Sequence, residues 1–151
     1  MPRPKKERTV YQPPLYTEFK PQGIQRRELE CVTLELDEFE AIRLVDYIAM
    51  DHAEAAIEMG ISRPTFTRLI EQARRKMAQF LLEGRLLHIR GGNIHFQGNL
   101  IRCRTCGHMF NMEFECELKV CPACGSDNLL DLAGGFGHGR CCREFNRGNR
   151  R

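Results

Sequence analysis

Beyond a proline-rich start, apolar residues recur every three or four positions, and this period predicts successive helices. The first helix, from about 38 to 48, directs Leu44 and Ile48 toward a core. Asp37 and Glu40 have the spacing of a capping box, in which two side chains satisfy free backbone amides at the start of a helix.

Two more helices are predicted by their end signals. The second begins at the capping residue Asp51 and ends at Gly60, which can adopt the left-handed conformation. Ser62 caps the third helix, Pro64 falls in its first turn, and Gly84 is a plausible stop. One buried stripe is expected along the third helix, formed by Phe66, Leu69, Ile70, Ala73, Met77 and Leu81.

The pattern changes after the third helix. The segments "RLLHIR" and "NIHFQ" flank the pair Gly91-Gly92. Two short apolar segments around two glycines predict a β-hairpin with a two-residue turn. This hairpin would lead directly into the cysteine-rich part of the chain.

Charge is distributed in blocks. The net charge is +3 for residues 1–30, −7 for 31–60, +5 for 61–100 and +3 for 131–151. Blocks of positive charge indicate a polyanionic partner, although a solvated surface would give the same pattern. No segment has the length and apolar character of a membrane-spanning helix, and no apolar segment follows the basic start, so we expect a cytoplasmic protein that does not bind membranes.

The second and third predicted helices have the spacing of a helix-turn-helix. Ala56 supplies the small residue at which two helices can cross closely, and Gly60 supplies the turn. Ile61, Phe66 and Leu69 face back toward the core. The pattern therefore predicts a DNA-binding helix pair, and the simpler alternative is a three-helix bundle with a charged surface.

In such a motif, the start of the second helix contacts base edges and its flanks contact phosphate. Arg63 and Arg68 are the candidate base readers, because an arginine can pair with guanine through two hydrogen bonds. Thr67 is placed to meet a thymine methyl group or a phosphate. The complete set of candidate DNA-binding residues is Ser62, Arg63, Thr65, Thr67, Arg68, Arg74, Arg75 and Lys76.

Two Cys-x-x-Cys-Gly motifs, "CRTCGH" and "CPACGS", lie in the C-terminal third. Cysteines clustered in this way, in a chain without a secretion signal, favour a metal site over disulfides. The sequence predicts a structural zinc site with the ligands Cys103, Cys106, Cys121 and Cys124. Iron is the alternative, since rubredoxins use similar motifs. Four thiolates leave no coordination position for a water nucleophile, and we expect no enzymatic activity.

The remaining cysteines and histidines have less regular spacing. Cys116 is expected to pack or stay free rather than replace one of the four ligands. Cys141 and Cys142, with His138, could bind a soft metal or sense oxidation, but the favoured interpretation is a flexible tail with incidental cysteines. His95, like the histidines at 52 and 88, has no ligand-like spacing.

The chain resembles the prokaryotic family known as domain of unknown function 134, in which a helix-turn-helix similar to region 4 of sigma factors is predicted. The matching segments are "RPKK", "FKPQGI" at 19–24, "LDEFEAIRL" at 36–44 and "AAIEMGISRPTFTRLIEQARRK" at 55–76, together with "EG" before a basic strand. The resemblance covers about residues 1–92, and it implies a DNA-binding function for that part only.

These observations predict a mainly α fold, in which a three-helix helix-turn-helix domain precedes a small β zinc ribbon. The expected divisions are an extended basic arm at 1–30, the DNA-binding domain with the start of the hairpin at 31–92, the zinc ribbon at 93–132 and a flexible basic tail at 133–151.

The function expected from this organisation is sequence-specific binding of double-stranded DNA by a transcriptional regulator, either as a homodimer or with minor-groove contacts from "PRPKK" in the arm. The alternatives are an adaptor that docks on RNA polymerase or another protein, and a rubredoxin-like iron electron carrier.

Overall fold

The computed structural model describes residues 7–114, 116, 119–138 and 141–142. It divides into two units, and each has its own contacts. One unit contains residues 7–9 and Tyr16–Ile94, and the other contains Val10–Leu15 and the described residues from His95 onward. The expected minor-groove contacts of residues 2–6 lie outside the described residues, as does most of the predicted flexible tail.

The described residues form four α-helices and three small sheets. Of these residues, 38% are helical and 21% are in strands, so the fold is mixed rather than mainly α as predicted. The elements in chain order are β1 (Arg8–Val10), β2 (Glu18–Phe19), β3 (Cys31–Leu34), α1 (Leu36–Ile42), α2 (His52–Met59), α3 (Arg63–Glu83), β4 (Leu86–Ile89), β5 (Ile94–Phe96), β6 (Asn99–Cys103), β7 (Met109–Met112), β8 (Leu129–Asp131) and α4 (Leu132–Gly135).

Helix α1 begins two residues earlier than the predicted capping box allows. Its N-cap is Glu35, and the carboxylate of Glu38 accepts a hydrogen bond from the Glu35 amide at 3.4 Å. Asp37 instead pairs with Arg8, so the predicted box of Asp37 and Glu40 is wrong. The helix continues as a π-helical turn, Arg43–Tyr47, in which the chain fits one extra residue per turn.

The predicted hairpin around Gly91 is also wrong. Strand β4 pairs in parallel with β3 and antiparallel with β2, whereas β5 pairs with β1. Leu86 and Ile89 therefore pair with residues of β3, which precedes the helices, rather than with residues of the next strand. The first thirty residues contribute two strands and a short 3-10 helix, Arg26–Glu28, where the sequence predicted an extended arm.

The helices enclose one apolar core. It contains Ala41, Leu44, Ala55, Ala56, Met59, Phe66, Leu69 and Ile70, all of them 6% exposed or less. The predicted stripe on α3 is confirmed as far as Ala73, but it stops there: Met77 is half-buried and Leu81 is 71% exposed. Ile48, which the periodicity placed in the core, is exposed because the π-helical turn precedes it. No helix among the described residues is both long enough and apolar enough to cross a membrane.

The second unit contains an antiparallel sheet in the order β7-β6-β8. The buried side chain of Asn99 ties this sheet to α4. Its amide donates to the Asp131 carboxylate at 2.6 Å, and its oxygen accepts from the Ala133 amide at 3.0 Å. Asp131 in turn caps α4 through the Gly134 amide. This network fixes the end of β8 beside the start of β6.

Candidate nucleic-acid interface and metal centres

The junction between α2 and α3 is a tight, fully bonded turn. Gly60 has φ 69°, and its amide donates to the Ile57 carbonyl at 3.1 Å. The Ile61 amide donates to the Ala56 carbonyl at 3.0 Å, and these two bonds make up a Schellman motif. Ala56 is 2% exposed and belongs to the core cluster, against which Ile61 also packs. The predicted turn residue and the predicted small residue therefore both have the expected conformation and burial.

The start of α3 is exposed and has no acidic side chain in its first turn. Ser62 caps the helix by accepting the Thr65 amide at 3.3 Å, and the two hydroxyls lie 2.8 Å apart. The free amides and the helix dipole make this end electropositive, and the N1 residue Arg63 adds a full charge. The N-terminal end of α3, beside Ser62, is therefore suited to binding an anion.

Three of the predicted DNA-binding side chains contact side chains that lie outside α3. The Thr67 hydroxyl lies 3.0 Å from Nδ1 of His52, whose ring meets Phe66 edge-on, so Thr67 links α3 to α2. Arg74 pairs with Asp46 at 2.6 Å. Lys76 donates to the buried carboxylate of Glu38 at 2.6 Å.

These ion pairs have electrostatic consequences. The hydrogen bond from Arg74 lowers the pKa of Asp46 and raises that of Arg74. Burial raises the pKa of Glu38, and the hydrogen bond and charge of Lys76 oppose this increase. Arg74 is therefore already neutralised by Asp46 on the π-helical turn, and Lys76 by Glu38 on α1.

The other three arginines are exposed and make no ion pair with any residue that the structure describes. Arg68 and Arg75 are seven positions apart, so two helical turns place them on one stripe, opposite the buried side of α3. Arg63 lies at the exposed N-terminal turn. Of the eight predicted residues, these three present an uncompensated positive charge to solvent.

The two Cys-x-x-Cys motifs bring their four thiols together. Cys103 is the last residue of β6 and Cys106 lies in the loop between β6 and β7, whereas Cys121 and Cys124 lie in the turn before β8. The sulfur of Cys103 is 3.6 Å from that of Cys124, and the sulfurs of Cys106 and Cys121 are 3.7 Å apart. Tetrahedral ligands 2.3 Å from one ion would be about 3.8 Å apart. We refer to these residues as the four-cysteine cluster.

Both motifs fold in the same way, because each ends in a glycine with positive φ. The Gly107 amide donates to the Cys103 carbonyl at 2.9 Å, and the Gly125 amide donates to the Cys121 carbonyl at 2.8 Å. A contact of 2.8 Å between the hydroxyls of Thr105 and Ser126 links the two loops. The loops therefore form a matched pair that can hold a metal ion between them.

The environment of the cluster separates the pKa values of two of its thiols, Cys103 and Cys124. Hydrogen bonds from the backbone of Cys106 and Thr105 lower the pKa of Cys103 to about 6, against the effect of burial. The Ser126 amide lowers the pKa of Cys124, but burial and the neighbouring thiols outweigh it and raise this pKa to about 12. A thiolate is thus stabilised in the cluster by backbone N–H groups, as a metal ligand requires.

Cys116 is exposed and belongs to none of the groups of possible metal ligands found among the described residues. By contrast, His95 lies with His138, Cys141 and Cys142, and one ligand atom from each falls within 4.8 Å of the others. The sequence spacing assigned no ligand role to His95, because it is more than forty positions from the other three. We refer to these four residues as the His-Cys cluster.

Comparison with known proteins identifies the family. Residues 1–97 match the family described as protein of unknown function DUF134. The chain belongs to this family. It is 48% identical to a UPF0251 protein of Chloroherpeton thalassium over 93% of this chain and 95% of that protein. It is 44% identical to a UPF0251 protein of Moorella thermoacetica, over 95% and 94% of the two chains. The resemblance to DUF134 seen in the sequence is thereby confirmed.

Proposed function

We propose that this DUF134 protein is a sequence-specific DNA-binding protein that regulates transcription. In this proposal α2 and α3 form a helix-turn-helix, and α3 enters the major groove with its N-terminal end toward the bases. Arg63 and Arg68 read base edges, and Arg75 contacts phosphate. Homodimer binding to a two-fold site would add the specificity that a single recognition helix lacks. No catalytic step is part of the proposal.

The observation that carries the proposal is the contrast among the basic side chains of α3. Arg74 and Lys76 are paired with carboxylates, whereas Arg63, Arg68 and Arg75 are exposed and have no ion pair to a described residue. Unpaired arginines beside an electropositive helix end, without an acid in the first turn, favour a polyanion. The Schellman turn at Gly60 supports the close helix crossing that the motif needs.

The four-cysteine cluster would hold a structural zinc ion and thereby form a zinc ribbon. The donor set supports zinc: four sulfurs at tetrahedral spacing fill the coordination sphere, so the ion would organise the two loops. Iron would accept the same four thiolates, and metal analysis of the purified protein distinguishes the two ions. In this proposal the ribbon adds contacts to DNA or to a partner protein.

The test is fluorescence anisotropy with random duplex DNA over a series of salt concentrations. We expect affinity that falls steeply with salt, because each neutralised phosphate releases a counterion. The variant Arg63→Gln/Arg68→Gln should bind at least tenfold more weakly than the wild type. Its matched control is Arg27→Gln/Arg90→Gln, which removes two exposed positive charges elsewhere on the same unit. An equal loss in both variants would contradict recognition by α3.

A second candidate function is an adaptor that docks on RNA polymerase or another protein. The observation that favours it is the exposure of Leu81 and Leu82 at the end of α3, 71% and 86%. Two adjacent exposed leucines favour a protein contact at this point. The adaptor predicts at most weak DNA binding, which Arg63→Gln/Arg68→Gln does not change. Its association with a partner would be weakened by Leu81→Ser/Leu82→Ser.

A further inference from the structure

The His-Cys cluster brings together residues that are distant in sequence. His95 lies in β5, His138 follows α4, and Cys141 and Cys142 come after it. Nδ1 of His138 is 3.3 Å from the Cys141 sulfur and 3.6 Å from the Cys142 sulfur. Nδ1 of His95 is 3.7 Å from the Cys142 sulfur, and the two sulfurs are 3.9 Å apart.

These separations match those of ligands around one tetrahedral ion. With metal–sulfur bonds of 2.3 Å and metal–nitrogen bonds of 2.0–2.1 Å, two sulfurs lie about 3.8 Å apart, and a sulfur and a nitrogen lie about 3.6 Å apart. The four distances around Cys142, Cys141 and the two imidazoles agree with these values to within about 0.3 Å. The Nδ1 atoms and sulfurs thus converge as one set of ligands.

The surroundings of the cluster hold its side chains in place. Cys142 is 0% exposed, and its sulfur accepts the Phe96 amide at 3.2 Å. Phe96, also fully buried, meets the His138 ring edge-on, with centroids 5.4 Å apart. Backbone N–H groups directed at sulfur stabilise thiolates, and rings packed on a ligating histidine fix its orientation. The cluster therefore has the supporting contacts of a metal site as well as its ligands.

We propose that His95, His138, Cys141 and Cys142 form a second metal site, independent of the four-cysteine cluster. Two thiolates and two neutral imidazoles in tetrahedral arrangement are a donor set for Zn²⁺. All four ligands come from the protein, so the ion is structural and fastens His138, Cys141 and Cys142 to β5. This site goes beyond the proposed DNA-binding function and does not depend on it.

Metal content of the full chain tests the proposal. The protein is purified in the presence of Zn²⁺, and the number of ions per chain is measured by native mass spectrometry. We expect two ions in the wild type and one in His138→Ala, Cys141→Ser or His95→Ala. The ribbon variant Cys103→Ser/Cys106→Ser should also bind one. Cys116→Ser, which removes a thiol outside both clusters, should keep two.

Cobalt spectra then identify which ion each variant retains. With Co²⁺ as the probe, the ribbon variant should show the absorption of a site with two sulfurs and two nitrogens, whose bands lie at shorter wavelength than those of a four-sulfur site. His138→Ala should show the four-sulfur spectrum. Because Cys142 is buried, its substitution could unfold the unit, and the half-buried His138 and Cys141 are the informative positions.

Two metal-binding results would overturn the proposal. One is a wild-type protein with a single ion that is lost completely in Cys103→Ser/Cys106→Ser. The other is a His138→Ala variant that retains two ions and an unchanged cobalt spectrum. A mass lower by two hydrogens, abolished by Cys141→Ser, would also overturn it, since that result identifies the pair as a disulfide instead of a metal site.

Discussion

The ammonium group of Lys76 lies 2.6 Å from a carboxylate oxygen of Glu38, whose side chain is only 1% exposed. This pair joins α3 to the first turn of α1 across the core. The sequence predicts Lys76 as a phosphate contact, and nothing in the sequence near Lys76 indicates that it pairs with Glu38. The pair shows that the basic run "RRK" at 74–76 divides between internal pairing and exposure.

Removing this lysine should destabilise the protein. In Lys76→Met the carboxylate of Glu38 remains buried without a cation, and we expect a loss of about 3 kcal/mol in the free energy of unfolding at pH 7. The adjacent substitution Arg75→Met removes an exposed charge and should change stability by less than about 0.5 kcal/mol. Urea unfolding measures both. Equal stability of the two variants would show that the Glu38–Lys76 pair does not form.

The same carboxyl predicts a pH dependence. Burial raises the pKa of Glu38 above its ordinary 4.5, so the folded protein holds this proton more tightly than the unfolded chain. Its contribution to stability is present below pH 4.5 and is lost as the pH rises through the raised pKa. Glu38→Gln has no such group. We therefore expect the wild type to lose stability relative to Glu38→Gln as the pH rises above 4.5, and an opposite trend would contradict the assignment.

Arg74 and Arg75 are adjacent on α3, and comparing them tests whether an ion pair within the protein reduces an arginine's contribution to DNA binding. Because Arg74 is bound to Asp46, Arg74→Gln should weaken binding to random duplex DNA less than Arg75→Gln does. Arg75→Gln should also lower the slope of log affinity against log salt by about 1, as expected for one lost phosphate contact. Anisotropy titrations at four salt concentrations measure both. A larger effect of Arg74→Gln would assign the phosphate contact to Arg74.

Two substitutions to alanine test which side chains of α3 lie in the core. Phe66 is 0% exposed, so Phe66→Ala should cost about 3–5 kcal/mol through lost burial and a residual cavity. Leu82 is 86% exposed, and Leu82→Ala should cost less than about 0.5 kcal/mol. Thermal or urea unfolding gives both values. A large loss in Leu82→Ala would show that this leucine is covered in solution.

The local signals of the helices were readable in the sequence. Asp51 and Ser62 cap their helices through side-chain oxygens, and Gly60 and Gly84 end them by adopting a positive φ. Helices α2 and α3 therefore begin and end where these residues predict. The Cys-x-x-Cys-Gly motifs are local in the same sense, because each closes its own turn before meeting the other. Such features depend on neighbours within a few positions and need no knowledge of the fold.

The features that were missed depend on distant partners. Leu86–Ile89 pairs with Cys31–Leu34 across three helices, and nothing near Gly91 indicates this. Leu81 continues the apolar period of α3 beyond the point where the core ends. Periodicity alone therefore predicts that Leu81 is buried, whereas it is exposed. His95 meets its cluster only because β5 lies beside His138, Cys141 and Cys142. In each case the deciding contact is made by tertiary packing, which the local pattern does not contain.

Metal removal should affect the two units differently. The four-cysteine loops have little core of their own, whereas the helical unit is built on an apolar cluster. Chelation should therefore abolish the ordered resonances of β6 to β8 and leave the circular dichroism of α1 to α3 nearly unchanged. Cys103→Ser should reproduce this effect, and Cys116→Ser should not. Loss of most helical signal on chelation would contradict an independent helical core.

The most direct test of DNA recognition by α3 is a nuclear magnetic resonance titration of the labelled chain of 17.5 kDa with random duplex DNA at low salt. We predict the largest shifts at the amides of Arg63, Thr65 and Arg68 and at the side-chain Nε of Arg75. Signals of the 3-10 helix Arg26–Glu28 serve as the internal comparison. Shifts confined to the second unit, or none at all, would contradict the proposal that α3 reads DNA.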